Sequence, residues 1–486
     1  MANEIELKLE LTSQAVEALD AAGFWPGNAV VADQRSIYFD TPDRVIAEAG
    51  MSLRIRRTGR KRVQTIKAEG DSAGGLFVRS EWERSVKSDV PVIGDDTPLL
   101  AVLGDEVNAI DRAFEVRVER KRWNVDVDNV RIEMVLDRGV VAIEERNSPI
   151  SEIELELLSG SSAALFAYAR RIDAVAPVRL GVQTKSERGY RLAGPVRSPI
   201  KAEPIDLPGD VTSADAFRRI VRNCLRHYRL NEALLLTGRD AGALHQARVA
   251  LRRLRSAITL FRPVVSDLRY AALREELRWL TSELGEARNL DVLLERSVGN
   301  ELHDRISVAR EAAYDRIDAV LASSRVRALL LDLVEWTATG DWLQAADRAA
   351  DRDRPARVFA AEALRRLRRR MKRRGRHLAR ADDETRHALR KDAKKLRYGA
   401  EFFADLFRSS RERRRHRKFI TALEDLQDEL GALNDLATAP EVLKTLDLAE
   451  EPGAAALLAG GGRKPLINAA AEAHDDMIDA KRFWRG

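Results

Sequence analysis

Glu4-Ile5-Glu6-Leu7-Lys8 and, far along the chain, Glu152-Ile153-Glu154-Leu155-Glu156 share one pattern, in which carboxylates alternate with large aliphatic residues. Successive side chains of a β-strand point to opposite faces. Glu4, Glu6 and Lys8 therefore share one face, while Ile5, Leu7 and Leu9 share the other. The second run repeats the arrangement with three carboxylates. Aligned carboxylates repel unless something cationic lies among them, and a divalent metal held by hard oxygens meets that need. A solvent-washed amphipathic strand would account for either run alone. Two such runs in one strand-rich region point to a shared acidic site.

The chain has 486 residues, more than one hydrophobic core accommodates, so two or three domains are expected. A hydrophobic fraction of 45% and a mean hydropathy of -0.34 fit a soluble protein, and no stretch approaches the ~20 apolar residues that span a bilayer. The N-terminus lacks the basic and apolar regions of a signal peptide, and Cys224 is the single cysteine, which excludes an internal disulfide or a thiolate metal cluster. A cytoplasmic protein with no membrane partner is expected. The net charge of +6 hides an asymmetry: acidic clusters mark the first part, and runs such as Arg365 to Arg376 and Arg411 to Lys418 mark the later part. A basic half predicts an anionic partner, either nucleic acid, an acidic membrane surface or a phosphate polymer.

Residues 1 to about 192 read mainly as strands: Val30 to Phe39, Met51 to Arg57, Val63 to Ala68, Leu76 to Val86, Phe114 to Val127, Val130 to Leu136 and Val140 to Glu145. Short helices are expected at Ser13 to Ala22 and Ser162 to Val175. Strands charged on one face suggest a closed barrel with a polar interior. Residues 193–212 carry Pro195, Pro199, Pro204 and Pro208 without periodicity and read as a linker. Residues 213–486 read as all-helical, with breaks expected at Pro263, Gly285, Gly340 to Asp341, Gly375, Gly431 and Gly460 to Gly462.

The barrel segments place cations at alternating positions: Arg54 with Arg56, Lys67, Arg79 beside Glu81 and Glu83, then Arg120, Glu133 with Asp137, and Lys185 with Arg188. Guanidinium and ammonium groups suit phosphate oxygens, and carboxylates suit Mg²⁺ or Mn²⁺. A cavity lined by both kinds suits a metal-complexed polyanion.

In these blocks the region resembles the CYTH superfamily, the triphosphate tunnel metalloenzymes. The matching blocks run in order: Glu4-x-Glu6-x-Lys8, Tyr38-Phe39-Asp40-Thr41-Pro42, Leu53-Arg54-Ile55-Arg56, Thr65-Ile66-Lys67, Arg79-x-Glu81-x-Glu83, Leu136-Asp137-x-Gly139, residues 152–156 and Lys185-x-x-x-Gly189-Tyr190. The resemblance implies an eight-stranded antiparallel tunnel that grips a triphosphate. It implies that Glu4, Glu6, Glu154 and Glu156 hold metal or orient metal-bound water. Lys8, Arg54, Arg56, Lys67, Arg79, Arg120 and Lys185 would bind phosphate oxygens. Glu81, Glu83, Glu133, Asp137, Glu152 and Arg188 would belong to the wall, with Asp137 also available to a metal. Either Glu154 or Glu156 is the candidate water-orienting base, with Lys8 beside them. Arg117 and Arg122 compete with Arg120, because a one-residue register slip swaps faces. Tyr38 to Pro42 is expected only to close a strand and turn, and Asp137 before Arg138-Gly139 reads equally well as a turn residue.

The helical region repeats itself. His245-x-x-Arg248-x-x-x-Arg252-Arg253-x-Arg255 returns as His387-x-x-Arg390-x-x-x-Lys394-Lys395-x-Arg397. Sixteen residues after each His stands an aromatic, Phe261 or Phe403, and Glu-Leu-Gly recurs at Glu283 to Gly285 and Glu429 to Gly431. A duplication explains this better than chance. At about 100° per residue the His and every third or fourth cation fall on one stripe in each repeat. The run Arg365 to Arg376 is better read as a solvated face. No ligand-spaced partner accompanies either His, and aromatics do not interleave with the cations, which argues against base stacking on nucleic acid.

This part resembles the CHAD domain, the conserved histidine α-helical domain, with Asn289 standing where that family favours Asp. The resemblance implies two four-helix bundles, about 213–350 and 351–486, that bind inorganic polyphosphate through the two stripes. The combined expectation is an α+β chain: an eight-stranded antiparallel tunnel over 1–192, followed by two pseudo-symmetric four-helix bundles. Its function would be Mg²⁺- or Mn²⁺-dependent hydrolysis of inorganic triphosphate. Nucleic acid is not an expected partner, and polyphosphate granules in the cytoplasm are one place such a protein could gather. The same tunnel could instead serve thiamine triphosphate or cyclise ATP, or dock polyphosphate without cleaving it.

Overall fold

The computed structural model describes residues 3–68, 74–127, 129–194, 199–297, 301–445, 447–451, 454 and 462–485. Of the residues singled out above, Pro195, Gly460 and Gly461 lie outside this set. The chain divides into two compact units: residues 1–198 with 323–339, and residues 199–322 with 340–486.

In the first unit eight strands close a barrel: β1 Asn3–Glu10, β2 Val30–Asp40, β3 Met51–Thr58, β4 Lys61–Ala68, β5 Leu76–Ser85, β6 Asp111–Val127, β7 Val130–Ile143 and β8 Arg146–Ser159. Their order is β5-β4-β3-β2-β6-β7-β8-β1, and β1 pairs back with β5 to close the ring, every pairing being antiparallel. A two-residue strand, Arg179–Leu180, also pairs with β1. The expected alternation holds. Leu7, Leu9, Ile153 and Leu155 are fully buried, while Glu4, Glu6, Lys8, Glu154 and Glu156 line the lumen. Helices Ser13–Ala21 and Ala163–Val175 pack together, and the latter covers β1 and β8. On another side Ile37, Phe39, Leu53, Ile55 and Ile66 form a core with Ile46, Leu99 and Leu103. Each fully buried aliphatic side chain contributes on the order of 1.5–3 kcal/mol, so the apolar packing lies outside the barrel and leaves its interior to charge.

Two readings change here. Asp137-Arg138-Gly139 is not a turn: β7 runs unbroken and merges two expected strands. A side chain at Gly139 would lie 1.9 Å from the Arg117 carbonyl oxygen of β6, so glycine marks a close backbone approach. Lys185 and Arg188 sit on a helix, Lys185–Leu192, which Thr184 and Glu187 start with a reciprocal capping box.

In the second unit, one set of helices is Ser213–Leu235, Ala241–Leu260, the pair Tyr270–Glu283 and Gly285–Arg296, and Glu301–Ala322. The other is Ala356–Arg374, Asp383–Phe402, Ser410–Thr445 and Arg463–Asp479. The repeat reaches down to the caps. Asp240 and Asp382, each five residues before the motif histidine, accept a hydrogen bond from the third helical N–H. Phe261 and Phe403 end the two motif helices, and their buried rings meet at 5.8 Å.

Gly285 separates two helices as expected, but Gly431 and Pro440 lie inside one long helix. The prolyl segment is not a free linker from Ile200 onward. The Ile200 carbonyl accepts from Asn231 and its N–H donates to the Asn231 side chain, while Leu207 is fully buried. Helix Ser324–Thr339, expected in the helical domain, belongs to the barrel unit. Arg170 on Ala163–Val175 pairs with its Asp332 at 2.6 Å and Glu335 at 2.8 Å, and its Arg327 pairs with Asp173 at 2.5 Å. Among the described residues no helix is long and apolar enough to cross a membrane.

Candidate functional site: a charged tunnel and a basic groove

The lumen of the barrel is a cavity of about 190 Å³ whose wall is almost entirely polar. β1 contributes Glu4, Glu6 and Lys8, β3 contributes Arg54 and Arg56, and β4 contributes Lys67. β5 adds Arg79, Glu81 and Glu83; β6, β7 and β8 add Arg120, Glu133, Glu154 and Glu156; and Lys185 enters from its helix. Arg120, rather than Arg117 or Arg122, faces inward: Arg117 pairs outside with Glu115, and Arg122 is half exposed beside Glu133. Asp137 and Glu152 are fully buried behind this wall, and Arg188 reaches Glu10 and Glu152.

Charge is partitioned within the lumen. In one corner, Lys8 Nζ lies 2.5 Å from Glu154 and 2.9 Å from Glu152, and Lys185 Nζ lies 2.6–2.8 Å from Asp137, Glu152 and Glu154. Arg120 grips Asp137 with two bonds of 2.8 and 2.6 Å and reaches Glu154 at 2.9 Å. Burial alone would raise the Glu154 carboxyl, but Lys185, Lys8 and Arg120 hold it well below the usual range. Burial works against Lys8 in the same way, yet Glu152, Glu154 and Glu6 keep its ammonium firmly charged. This corner is a closed ion cluster.

The opposite condition holds beside it. Burial and the carboxylates of Glu4, Glu133 and Glu6 push Glu156 up to about 7. Lys67 at 2.7 Å from Glu4 and Arg79 at 3.2 Å from Glu6 supply part of the missing positive charge. Glu6 Oε1 is buried and accepts no hydrogen bond among the described residues, and Lys8 Nζ lies 3.5 Å from it. Four neighbouring carboxylates, of which Glu156 has no cation at ion-pair distance among the described residues, fit a hard divalent metal. Asp137, Glu152 and Glu154 also bring oxygens within 4.8 Å of one another, but there ammonium and guanidinium groups already fill the space between them.

On β3, Arg54 donates to Tyr38 Oη at 3.4 Å, and among the described residues neither Arg54 nor Arg56 has a carboxylate at ion-pair distance. Unpaired guanidinium groups on a tunnel wall suit an incoming polyanion. Tyr38, left out of the site on sequence grounds, lines the cavity with Ser52, Thr184 and Ser186. The inward parity of Tyr38 on a strand was the available signal. Its ring stacks on Phe114 at 4.6 Å.

In the second unit the motif helices Ala241–Leu260 and Asp383–Phe402 pack together, and Arg252 approaches Tyr398 Oη at 3.4 Å. The glycines of the two Glu-Leu-Gly blocks have one purpose. A side chain at Gly285 would crowd Arg248 at 3.2 Å, and one at Gly431 would crowd Arg390 at 3.4 Å, so each glycine lets the first arginine of its stripe lie on a helix backbone. Burial together with Arg288, Arg252, Arg248 and Lys394 lowers His245 to about 4. Burial and four guanidinium groups lower Lys394 to about 7. Arg248, Arg252, Arg390 and Lys394 thus form one basic cluster built from both repeats, with His245 held neutral beside it.

His387 is hydrogen-bonded to Asn434 at 2.8 Å. Arg253 pairs with Glu401, as does Arg397 at 3.1 Å, Arg255 stands beside Arg274 and Arg278, and Lys395 faces Asp392 and Arg370. Sequence reasoning missed Arg288, which joins the cluster from another helix. Arg366, Arg369 and Arg373 are exposed, as a solvated face requires.

Comparison with known proteins follows this division. Residues 2–190 match the family model of the CYTH domain and residues 219–444 that of the CHAD domain. An inorganic triphosphatase of Haemophilus influenzae is 29% identical over 203 residues, which are 40% of this chain and 55% of that protein. The chain thus spans about half the length of that curated relative. A crystal structure of the CHAD domain from the plant Ricinus communis is 31% identical, with 59% of this chain and 98% of that one covered and a TM-score of 0.49. A Hippeastrum protein, described as a putative adenylyl cyclase with a dominant triphosphatase activity, is 19% identical, with 39% and 95% covered and a TM-score of 0.30. The chain joins a CYTH domain to a CHAD domain.

Proposed function

We propose that the tunnel hydrolyses inorganic triphosphate to diphosphate and phosphate with a divalent metal, and that the helical unit binds inorganic polyphosphate. The observation that carries the first part is the division of charge in the lumen. Arg54 and Arg56, with no carboxylate at ion-pair distance among the described residues, stand on one wall, and Glu156, pushed up to about 7 by burial and by Glu4, Glu133 and Glu6, stands among carboxylates on another. Arg54, Arg56 and Arg79 would grip phosphate oxygens in forked pairs, with Lys67 as a point charge. The four carboxylates would hold Mg²⁺ or Mn²⁺, which when bound neutralises developing charge on the phosphoryl oxygens. Lys8, Lys185 and Arg120 are engaged by Glu152, Glu154 and Asp137, so they would act on substrate only by sharing their free donors. Glu154, held ionised, would orient the attacking water by accepting a hydrogen bond from it, and Glu156 would serve the metal.

Among the described residues Tyr38 is the one aromatic lining the lumen, and its stacking on Phe114 favours a substrate without a base over ATP. The polyphosphate reading rests on the cationic cluster at Lys394, whose Nζ has no carboxylate at ion-pair distance among the described residues. Phosphate release from triphosphate, ATP and thiamine triphosphate with each metal tests the first part. Cyclic AMP formation, or no phosphate from triphosphate, would overturn it. Calorimetric titration with long-chain polyphosphate tests the second.

A further inference from the structure

Lys394 differs from the other lysines of the motif. It lies on the face of Asp383–Phe402 that meets Ala241–Leu260, its surroundings are Arg390, Arg252, Arg248 and Arg397, and among the described residues no carboxylate lies at ion-pair distance from its Nζ. Arg390 likewise has no ion-pair partner among the described residues, and the Arg248 guanidinium bonds only the Thr281 carbonyl, so donors remain for a small dianion. Lys394 is half-buried, which leaves its amine open to the groove.

We propose that Lys394 is a self-acylation site for acyl phosphates: the guanidinium groups of Arg248, Arg252 and Arg390 dock the phosphate, and the Lys394 amine takes the acyl group. The proposal rests on the reading of this groove as a phosphate site. The neutral amine attacks the carbonyl carbon, a C–N bond forms and the C–O bond to phosphate breaks. Phosphate leaves as HPO₄²⁻, carrying the proton the nitrogen gives up. Crowding by guanidinium groups supplies the neutral amine near pH 7, because a second positive charge there is disfavoured. The same cations stabilise the departing phosphate. The product amide can never be charged, so acylation removes a potential phosphate contact from the groove and weakens it for polyanions.

The full-length protein is incubated with acetyl phosphate at pH 7.5, and acetylation is followed by peptide mass spectrometry. Lys391 is exposed and one turn away, and serves as the internal standard. Lys394 is expected to react at least about tenfold faster than Lys391, with the preference shrinking in Arg252→Ala and Arg390→Ala. Equal rates at the two lysines, in a protein whose circular dichroism is native, overturn the proposal. Long-chain polyphosphate separates this failure from that of the groove reading. Tight polyphosphate binding without any Lys394 preference sinks the acylation site alone. A Lys394 preference that persists although polyphosphate neither binds nor protects sinks the polyphosphate reading alone.

Discussion

Glu154 and Glu156 are two residues apart on one face of β8, yet they meet opposite electrostatic surroundings. Glu154 is held well below the usual carboxylate range by Lys185, Lys8 and Arg120 against the effect of burial, whereas burial, Glu4, Glu133 and Glu6 push Glu156 up to about 7. The two substitutions should therefore fail differently. Glu154→Gln leaves buried ammonium and guanidinium groups underpaired and is expected to destabilise the fold by about 3–5 kcal/mol. Glu156→Gln removes one repelling carboxylate and is expected to leave the metal-free fold as stable or more so, while raising the metal concentration for half-activity at least about tenfold. Denaturant unfolding and metal titration of the two variants separate these outcomes.

Chelation should abolish phosphate release, and Mn²⁺ or Mg²⁺ should restore it. Because ligands that bind only the folded state stabilise it by mass action, either ion should raise the melting temperature of the wild type. The rise is expected to vanish in Glu4→Gln/Glu6→Gln, which removes two of the four carboxylate charges. An undiminished shift in that double variant would place the metal elsewhere.

Arg54 and Arg56 have no carboxylate partner to lose among the described residues, so truncating either should cost binding rather than stability. A charge-assisted hydrogen bond contributes roughly 1.5–3 kcal/mol, which corresponds to a rise of about 10- to 150-fold in KM for triphosphate. Arg54→Ala and Arg56→Ala should unfold at the wild-type midpoint. A loss of several degrees with unchanged KM would make these residues structural.

Polyphosphate binding should take up protons. Lys394 stands near 7 in the free groove, where it faces Arg390 and Arg397 on its own helix and Arg248, Arg252 and His245 on Ala241–Leu260. A bound polyanion favours the charged form, so its pKa rises toward the ordinary 10.5. Affinity is then fully developed below pH 7 and falls as pH rises through 7 toward 10, by up to about tenfold per unit for one proton. Isothermal titration at pH 8 in buffers of different ionisation enthalpy should show this uptake, and Lys394→Ala should abolish it.

Much of this site was legible because β-strands have period two. Once Glu4, Glu6 and Lys8 are assigned to the polar face, the inward parity of Arg54, Arg56, Arg79 and Glu81 follows. Only register selects Arg120 over Arg117, and register depends on pairing between strands, which no single segment encodes. Ion-pair partners were likewise hidden: nothing in Glu154-Leu155-Glu156 says that Lys185, from a helix after the barrel, reaches one glutamate and not the other. Arg253 and Arg397 sit in the repeated motif, but their pairing with Glu401 appears only when the helices are packed. Gly139 was misread because glycine signals a turn and a close backbone approach equally well.

Residues 323–339 add a last consequence. Because this segment lies in the barrel unit while both its flanks lie in the other, the chain passes between the units three times. A single nick after residue 198 would leave them covalently joined at two further places. A fragment ending there would also lack Arg327, Asp332 and Glu335, stranding Arg170 and Asp173 of Ala163–Val175. Residues 1–198 alone are expected to melt several degrees below the barrel unit of the whole protein.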